Sequence, residues 1–382
     1  MVNSVLITGG AGFIGRNLAS YLISRGDRVR ILDNFNSQIH DINSSKSIPK
    51  SIEIFKGDIQ DKDIVQKALE GVTQIVHYAA ETGTGQSMYE IEKYFSVNIQ
   101  GTANLINCIQ NDSKSTLKSI IVASSRSIYG EGLYCCDEHG YFYPVNNRET
   151  SKVSEGHYDF LCPNCNRRLT FLPTPETAAL NPQSFYAVTK LTQEKSILLL
   201  AKNKGINGFA LRYQNVYGPG QSLKNPYTGI LAIFSTLARQ NLPINIFEDG
   251  KESRDFIYID DVVESTVRCL EYKDFFIGSL NVGFGKSEAV LNVANKIKSY
   301  YGGKSEITVT GDYRKGDIRH NVADITQLKK LLNFTPLVSF DEGLLFFLSW
   351  VDKQPIYALP YVQSIKELEI NDMFIKAVKL TK

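Results

Sequence analysis

The chain is poor in the features that mark secreted, membrane-spanning or nucleic-acid-binding proteins. Its 382 residues hold 6 cysteines, too few and too unevenly spread for a disulfide framework at this size. No apolar run approaches the roughly 18 residues that a membrane span requires, and Met1 leads into Val5-Leu6-Ile7 without room for a signal h-region. A cytoplasmic location is therefore expected. With 42 Lys and Arg against 40 Asp and Glu, the formal net charge is +2, so no dominant field points to nucleic acid or an anionic membrane. Internal repeats and low-complexity tracts are missing as well. What is there, 43% hydrophobic and 21% charged, suits a globular protein of two domains, or one large α/β unit with an insertion.

Up to about residue 130, short β-branched runs alternate with helical patterns, the signature of βαβ units around a parallel sheet. Strands are expected at Val5–Thr8, Val29–Asp33, Ile52–Lys56, Gln74–Tyr78 and Lys118–Ser124, then a long helix from Ser184 through Ala201 and a buried strand at Phe209–Arg212. Periodicity fails between Asp137 and Thr177, which reads as an insertion. The expected fold is α/β: a Rossmann-type doubly wound parallel sheet with a smaller C-terminal substrate lobe and a Cys/His insertion. Residues 1–215 would form the dinucleotide domain, with 131–178 inserted; 216–353 would be mainly the second lobe, with returns to the first, and 354–382 a helical tail.

Gly9, Gly12 and Gly15, in Gly9-Gly10-Ala11-Gly12-Phe13-Ile14-Gly15, follow the first strand and open the first helix. Glycine suits this place because the turn is tight and a pyrophosphate must approach bare backbone at a helix N-terminus. Asp33 closes the second strand 18 residues past Gly15, with Asn34 after it. A carboxylate there accepts from the adenosine ribose hydroxyls and repels a 2′-phosphate, so NAD is favoured over NADP. Asp58-Ile59 after the third strand, and Ala79-Ala80 within His77-Tyr78-Ala79-Ala80 after the fourth, fit the same ligand.

Tyr186 and Lys190, in Tyr186-Ala187-Val188-Thr189-Lys190, share one face of a helix. A cation near the phenol favours phenolate and would lower its pKa toward working pH, making a general base; the ammonium can also hold the nicotinamide ribose. Ser124-Ser125 ends the fifth strand at the carboxyl edge of the sheet, where ligands bind in such folds. Ser125, Tyr186 and Lys190 are the catalytic candidates.

Together these residues resemble the extended short-chain dehydrogenase/reductase family, and within it the sugar-nucleotide epimerases and dehydratases. The resemblance runs from Val5 to about Trp350. It includes Asn98 in Val97-Asn98-Ile99-Gln100-Gly101-Thr102, Asn215 in Leu211-Arg212-Tyr213-Gln214-Asn215-Val216-Tyr217-Gly218-Pro219, Arg254-Asp255-Phe256, Asn281-Val282-Gly283 and Gly316-Asp317-Ile318-Arg319. It implies cofactor contact by Asn98, sugar-diphosphate contact by Asn215, and a clamp by Arg254 and Arg319, consistent with bidentate guanidinium recognition of phosphate. Dehydratases of the family carry an Asp-Glu pair where this chain has Arg126-Ser127 after Ser125. With no carboxyl there to protonate a leaving hydroxyl, C4 oxidation and re-reduction remains: epimerisation, with Arg126 placed toward substrate. A 4-keto reductase would use the same residues, although Asp33 disfavours NADPH. A cofactor-sensing binding protein, the third reading, would be expected to lack the Tyr/Lys pair.

Between the catalytic strand and Tyr186 lie Cys136-Asp137-Glu138-His139 and Cys162-Pro163-Asn164-Cys165, a C-x₂-H and a C-x₂-C pair separated by 22 residues. Two such pairs are what a tetrahedral structural Zn²⁺ takes. Cys135 can replace Cys136, and His157 can replace His139. Asn166 stands where a zinc knuckle commonly has glycine, and Asn tolerates a left-handed turn. This insertion, with Glu81-Thr82-Gly83-Thr84-Gly85-Gln86-Ser87 and Asn225-Pro226-Tyr227-Thr228-Gly229, is similar to the dTDP-L-rhamnose 4-epimerase group, which interconverts dTDP-L-rhamnose and dTDP-6-deoxy-L-talose. Thr82, Thr84 and Gln86 would then read sugar hydroxyls. A homodimer is implied by the resemblance, through a four-helix interface that includes the Tyr/Lys helix.

Overall fold

A computed structural model describes residues 3–40, 48–144, 148–225, 227, 229–357 and 360–377. Pro226 and Thr228 of the motif quoted above lie outside the described residues.

Seven parallel strands form the central sheet: β1 (Ser4–Thr8), β2 (Arg28–Asp33), β3 (Glu53–Lys56), β4 (Gln74–His77), β5 (Ser119–Ser125), β6 (Asn207–Tyr213) and β7 (Ile277–Val282), in the order β7-β6-β5-β4-β1-β2-β3. The order reverses between β1 and β4, and such a switch point opens a crevice at the strands' carboxyl ends. The inner strands read as nearly continuous apolar runs because both faces are covered. Val5, Ile7, Ile31, Val76, Ile121, Phe209 and Leu211 face one layer. Leu6, Leu32, Ile75, Ile120, Val122 and Ala210 face the other, as period-2 alternation requires. Helix α1 (Phe13–Ser24) packs on the first face; α2 (Lys62–Leu69), α3 (Gly101–Asn111) and α4 (Phe185–Lys204) pack on the second. The expected strands and the long helix are present, with every end within three residues of its expected place.

Ser184 starts α4, its hydroxyl accepting from Ala187 N at 3.2 Å, and Gly205 ends it in the left-handed conformation at φ 65°. The second lobe carries helices Ile230–Arg239, Val290–Tyr300 and Phe340–Val351 and short strands, among them Asn215–Tyr217 paired with Ser253–Tyr258. Helix α5 (Ile259–Leu270) packs beside α1, and β7 pairs with β6, so later segments rejoin the seven-stranded sheet and its first helix.

The insertion has its own sheet: Leu133–Cys136 pairs antiparallel with both Gly140–Phe142 and Thr170–Leu172 over a small core of Tyr134, Cys136, Cys162 and Leu169. The tail is not helical throughout. A helix over Pro360–Ile370 is followed by Phe374–Ile375, paired antiparallel with Tyr313–Arg314. Among the described residues no helix is long and apolar enough to cross a membrane.

Candidate active site

The cleft at the switch point encloses about 420 Å³. Gly9, Gly12, Phe13, Ile14 and Gly15 form its floor at the start of α1. Gly9 has φ +67°, and a Cβ there would stand 2.7 Å from Ala79 N; one on Gly15 would stand 2.6 Å from Gly10 Cα. Both are closed to any side chain. Gly12 caps α1 with no side-chain bond to the first-turn amides, which suits an anion at the helix's positive end.

Asp33 lies at one end of the cleft, its Oδ2 accepting from Ala11 N at 3.0 Å and its Oδ1 from Phe35 N at 2.8 Å, with His40 Nε2 3.5 Å from Oδ1. A carboxylate has about four acceptor sites, so capacity for two hydroxyls remains. Asn34, Ile59, Ala79 and Ala80 also line the cleft. Asp58 does not; its Oδ2 accepts from Asn34 Nδ2 at 2.9 Å, and Gly57, which the sequence reading passed over, lines the wall instead. Asn98 departs from expectation too. It is fully buried, its Oδ1 accepting from Glu81 N at 2.7 Å and its Nδ2 donating to Glu81 O at 3.1 Å and Thr189 Oγ1 at 2.9 Å. Its amide is spent tying the loop after β4 to α4, so it positions the site without facing a cofactor.

Ser125, Tyr186 and Lys190 converge on the same cleft. Ser124 also borders the cleft, but its hydroxyl is engaged elsewhere: it donates to Glu194 Oε2 at 2.6 Å, and that carboxylate is gripped by Arg212. Burial pushes the Tyr186 phenol up, while a hydrogen bond with Ser125 and then the charge of Arg126 pull it back down. This corrects the expectation of a phenol lowered by Lys190. Desolvation outweighs the attractive contributions, and the nearby cation acting on the ring is Arg126. Lys190 Nζ donates to Gln193 Oε1 at 2.6 Å, and burial pushes its pKa down to about 7. Gln193 is held in turn by Thr102 at 2.8 Å and His77 at 3.2 Å.

Several polar atoms toward the second lobe are buried without a partner among the described residues: Arg126 Nη1, both amide atoms of Gln214, Asn215 Oδ1 and Gln221 Oε1. Buried polar groups are normally satisfied, and a cluster of exceptions beside a cleft fits a polar ligand. Arg126 is pushed down by burial and by Arg254, yet a guanidinium stays charged at working pH, so an anion between the two is favoured. Gln214 and Gln221, which also line the cleft, were not singled out from sequence; Gln214 stands beside Asn215 in the quoted motif, the one signal available. Arg254 Nη1 donates to Ser253 O at 2.8 Å and Arg319 O at 3.1 Å.

Arg319 does not serve as the second clamp. It is fully buried, with Nε on Asp159 at 3.0 Å and Nη1 on Glu248 at 3.0 Å and Asp249 at 2.6 Å. These carboxylates hold it inward, where it ties the insertion to the second lobe. Thr82 lines the cleft, whereas exposed Thr84 lines a neighbouring crevice with Arg314 and Asp317, and Gln86 is buried, exchanging amide bonds with Gln38 at 3.1 and 3.3 Å.

In the insertion, Cys136 Sγ lies 3.5 Å from His139 Nδ1 and 3.6 Å from Cys165 Sγ, and Cys162 Sγ lies 3.6 Å from the same His139 nitrogen. All four ligand atoms fall within 4.8 Å of one another. Bonds of about 2.0–2.3 Å to a tetrahedral Zn²⁺ put neighbouring ligands about 3.5–3.8 Å apart. Cys135 alternates to the other side of its strand, and neither it nor His157 joins the cluster. Asn166 has φ 62°, the left-handed turn expected of it.

A doubly wound sheet, a glycine turn into α1, an acidic residue ending β2 and a Tyr/Lys pair beside a strand-end serine define a dinucleotide-dependent enzyme of the short-chain dehydrogenase/reductase type. Residues 6–159 match the family described as GDP-mannose 4,6 dehydratase, and residues 166–283 the NAD dependent epimerase/dehydratase family. The dTDP-L-rhamnose 4-epimerase of Burkholderia thailandensis is 34% identical over 355 residues, 92% of this chain and 95% of that one. The UDP-glucose 4-epimerase of Thermotoga maritima, solved with UDP-glucose, superposes with a TM-score of 0.73 at 26% identity, covering 92% of this chain and 99% of the other. The UDP-glucuronic acid 4-epimerase of Bacillus cereus, solved with its sugar nucleotide and NAD, gives 0.71 at 25% identity over 92% and 99%. The chain belongs to the NAD-dependent epimerase/dehydratase family, among its nucleotide-sugar epimerases.

Proposed function

We propose that the protein is a C4 epimerase that interconverts dTDP-L-rhamnose and dTDP-6-deoxy-L-talose. The observation that carries the reaction is the meeting of Tyr186, Ser125 and Lys190 in one cleft, with Arg126 where an eliminating enzyme needs an acid. The substrate rests on similarity to the Burkholderia enzyme along nearly the whole chain.

NAD, when bound, supplies a reversible hydride acceptor at C4. Asp33 takes the adenosine ribose hydroxyls and Lys190 the nicotinamide ribose. With NAD bound, the phenolate of Tyr186 would be favoured by the positive nicotinamide and by Arg126. It would accept the proton of the C4 hydroxyl and return it, and Ser125 would hold the C4 oxygen by hydrogen bond in both directions. Inversion requires the sugar ring to present its other face, so fixed anchoring belongs on the diphosphate, where Arg126, Arg254 and Asn215 supply charge and polar contact. Assay of purified protein against a panel of nucleotide sugars without added NAD tests this reading. Turnover confined to dTDP-L-rhamnose and its 4-epimer supports it; turnover of UDP-sugars alone overturns the substrate, and NADPH-dependent net reduction overturns the reaction.

Cys136, His139, Cys162 and Cys165 are proposed to hold a structural Zn²⁺, with four protein ligands and so no open position for catalysis. The homodimer implied by the family is supported by exposed large apolar side chains, Leu199 on the expected Tyr/Lys helix α4 and Ile91 and Phe95 in the helical turns leading to α3.

A further inference from the structure

The tail beyond residue 359 has no part in the chemistry above, yet it touches three loops beside the cleft. On its helix, the Glu367 carboxylate accepts from the Tyr89 hydroxyl at 3.1 Å and from the Tyr227 hydroxyl, and the two phenols bond each other. Tyr227 lines the cleft that holds Tyr186. Leu368, 3% exposed, packs over Gly85, where an added Cβ would stand 3.3 Å from its Cδ2. Beyond the helix, Met373 O accepts from Lys315 N at 3.0 Å, and Asp312 Oδ1 accepts from Ala377 N at 2.9 Å. Leu368 and Met373 thus face Ser184 and Asp317 across a crevice of only about 10 Å³. The cleft of about 420 Å³ is of the size a sugar nucleotide needs, and Tyr227 and Gly83 in its wall are backed by loops on which the tail rests.

We propose that residues 360–377 back the wall of the sugar subsite, held in place by Glu367 on Tyr89 and Tyr227. Glu367 is a positioning residue: it holds Tyr227 at the cleft and touches no reacting atom. The inference rests on the nucleotide-sugar reading above.

The test is steady-state kinetics of the full chain carrying Glu367→Ala or Glu367→Gln. Losing a charge-assisted acceptor for two phenols should raise KM for the nucleotide sugar about tenfold, with kcat within about threefold and bound NAD per subunit unchanged. Glu367→Gln, which keeps a carbonyl acceptor, should recover most of the KM. An unchanged KM overturns the wall, as does a joint fall of kcat, NAD content and Tm, which marks general loosening. If the wild-type protein turned over none of the panel sugars, the epimerase reading would fall and hydrogen exchange would still decide the tail. Amides of 361–370 that slow when UDP or dTDP is added support the wall, and unchanged exchange rejects it.

Discussion

Replacing Lys190 with methionine should make the nucleotide-free protein more stable while disabling it. Lys190 is 3% exposed, and burial carries its pKa from 10.5 down to about 7. At 1.36 kcal/mol per pKa step, keeping that ammonium in the fold costs about 5 kcal/mol below pH 7, where both folded and unfolded chains hold the proton. Between pH 7 and 10.5 only the unfolded chain holds it, so wild-type stability rises with pH across that window, and the cost falls to about 2 kcal/mol by pH 9. Methionine removes this cost but leaves Gln193 Oε1 without its donor, a loss of about 1 kcal/mol. The variant should therefore gain about 4 kcal/mol at pH 6.5, about 5 °C in Tm for a chain of this length, and only about 1 kcal/mol at pH 9. Urea unfolding at both pH values, on protein stripped of nucleotide, reads the difference. A variant less stable than wild type at pH 6.5, or a gain that does not shrink at pH 9, would refute the reasoning.

Tyr186→Phe should lower kcat by about 10²–10⁴-fold with bound NAD retained, the loss expected of a general base; near-normal turnover would remove the phenol from the mechanism. Arg319→Ala should shift the urea midpoint by the equivalent of about 3–5 kcal/mol, because Asp159, Glu248 and Asp249 lose their common cation; a small shift would return Arg319 to the list of candidate substrate contacts. Metal analysis should find one zinc per chain, lost in Cys162→Ser together with several degrees of Tm, and a metal-free wild type of unchanged Tm would contradict the cluster's role. Gly9→Ala should abolish NAD retention, since its Cβ would meet Ala79 N at 2.7 Å in a left-handed turn.

The Rossmann half was legible because its signals are local. Apolar strand runs, Gly9 to Gly15 and Asp33 each fix geometry within a few residues, and the strands fell where expected. The Cys/His cluster was legible for the same reason, and folding chose Cys136 over Cys135 by strand alternation. Arg319 and Asn98 were misread because a motif names a residue type without saying what surrounds it. The partners that claim Arg319 come from the insertion and from the second lobe, 70 or more positions away in sequence. The phenol of Tyr186 depended on a balance that sequence cannot weigh, burial against Ser125 and Arg126. The tail's place beside the cleft rests on long-range contacts between Glu367 and two tyrosines, with no periodic trace in the chain.

Most directly decisive is a proton NMR time course of dTDP-L-rhamnose with purified protein in D₂O and no added NAD. The account predicts growth of the 4-epimer to a fixed ratio with hydrogen, not deuterium, at C4, because the hydride is kept within the enzyme. Absence of the epimer would contradict the substrate, and deuterium at C4 would contradict internal oxidation and return.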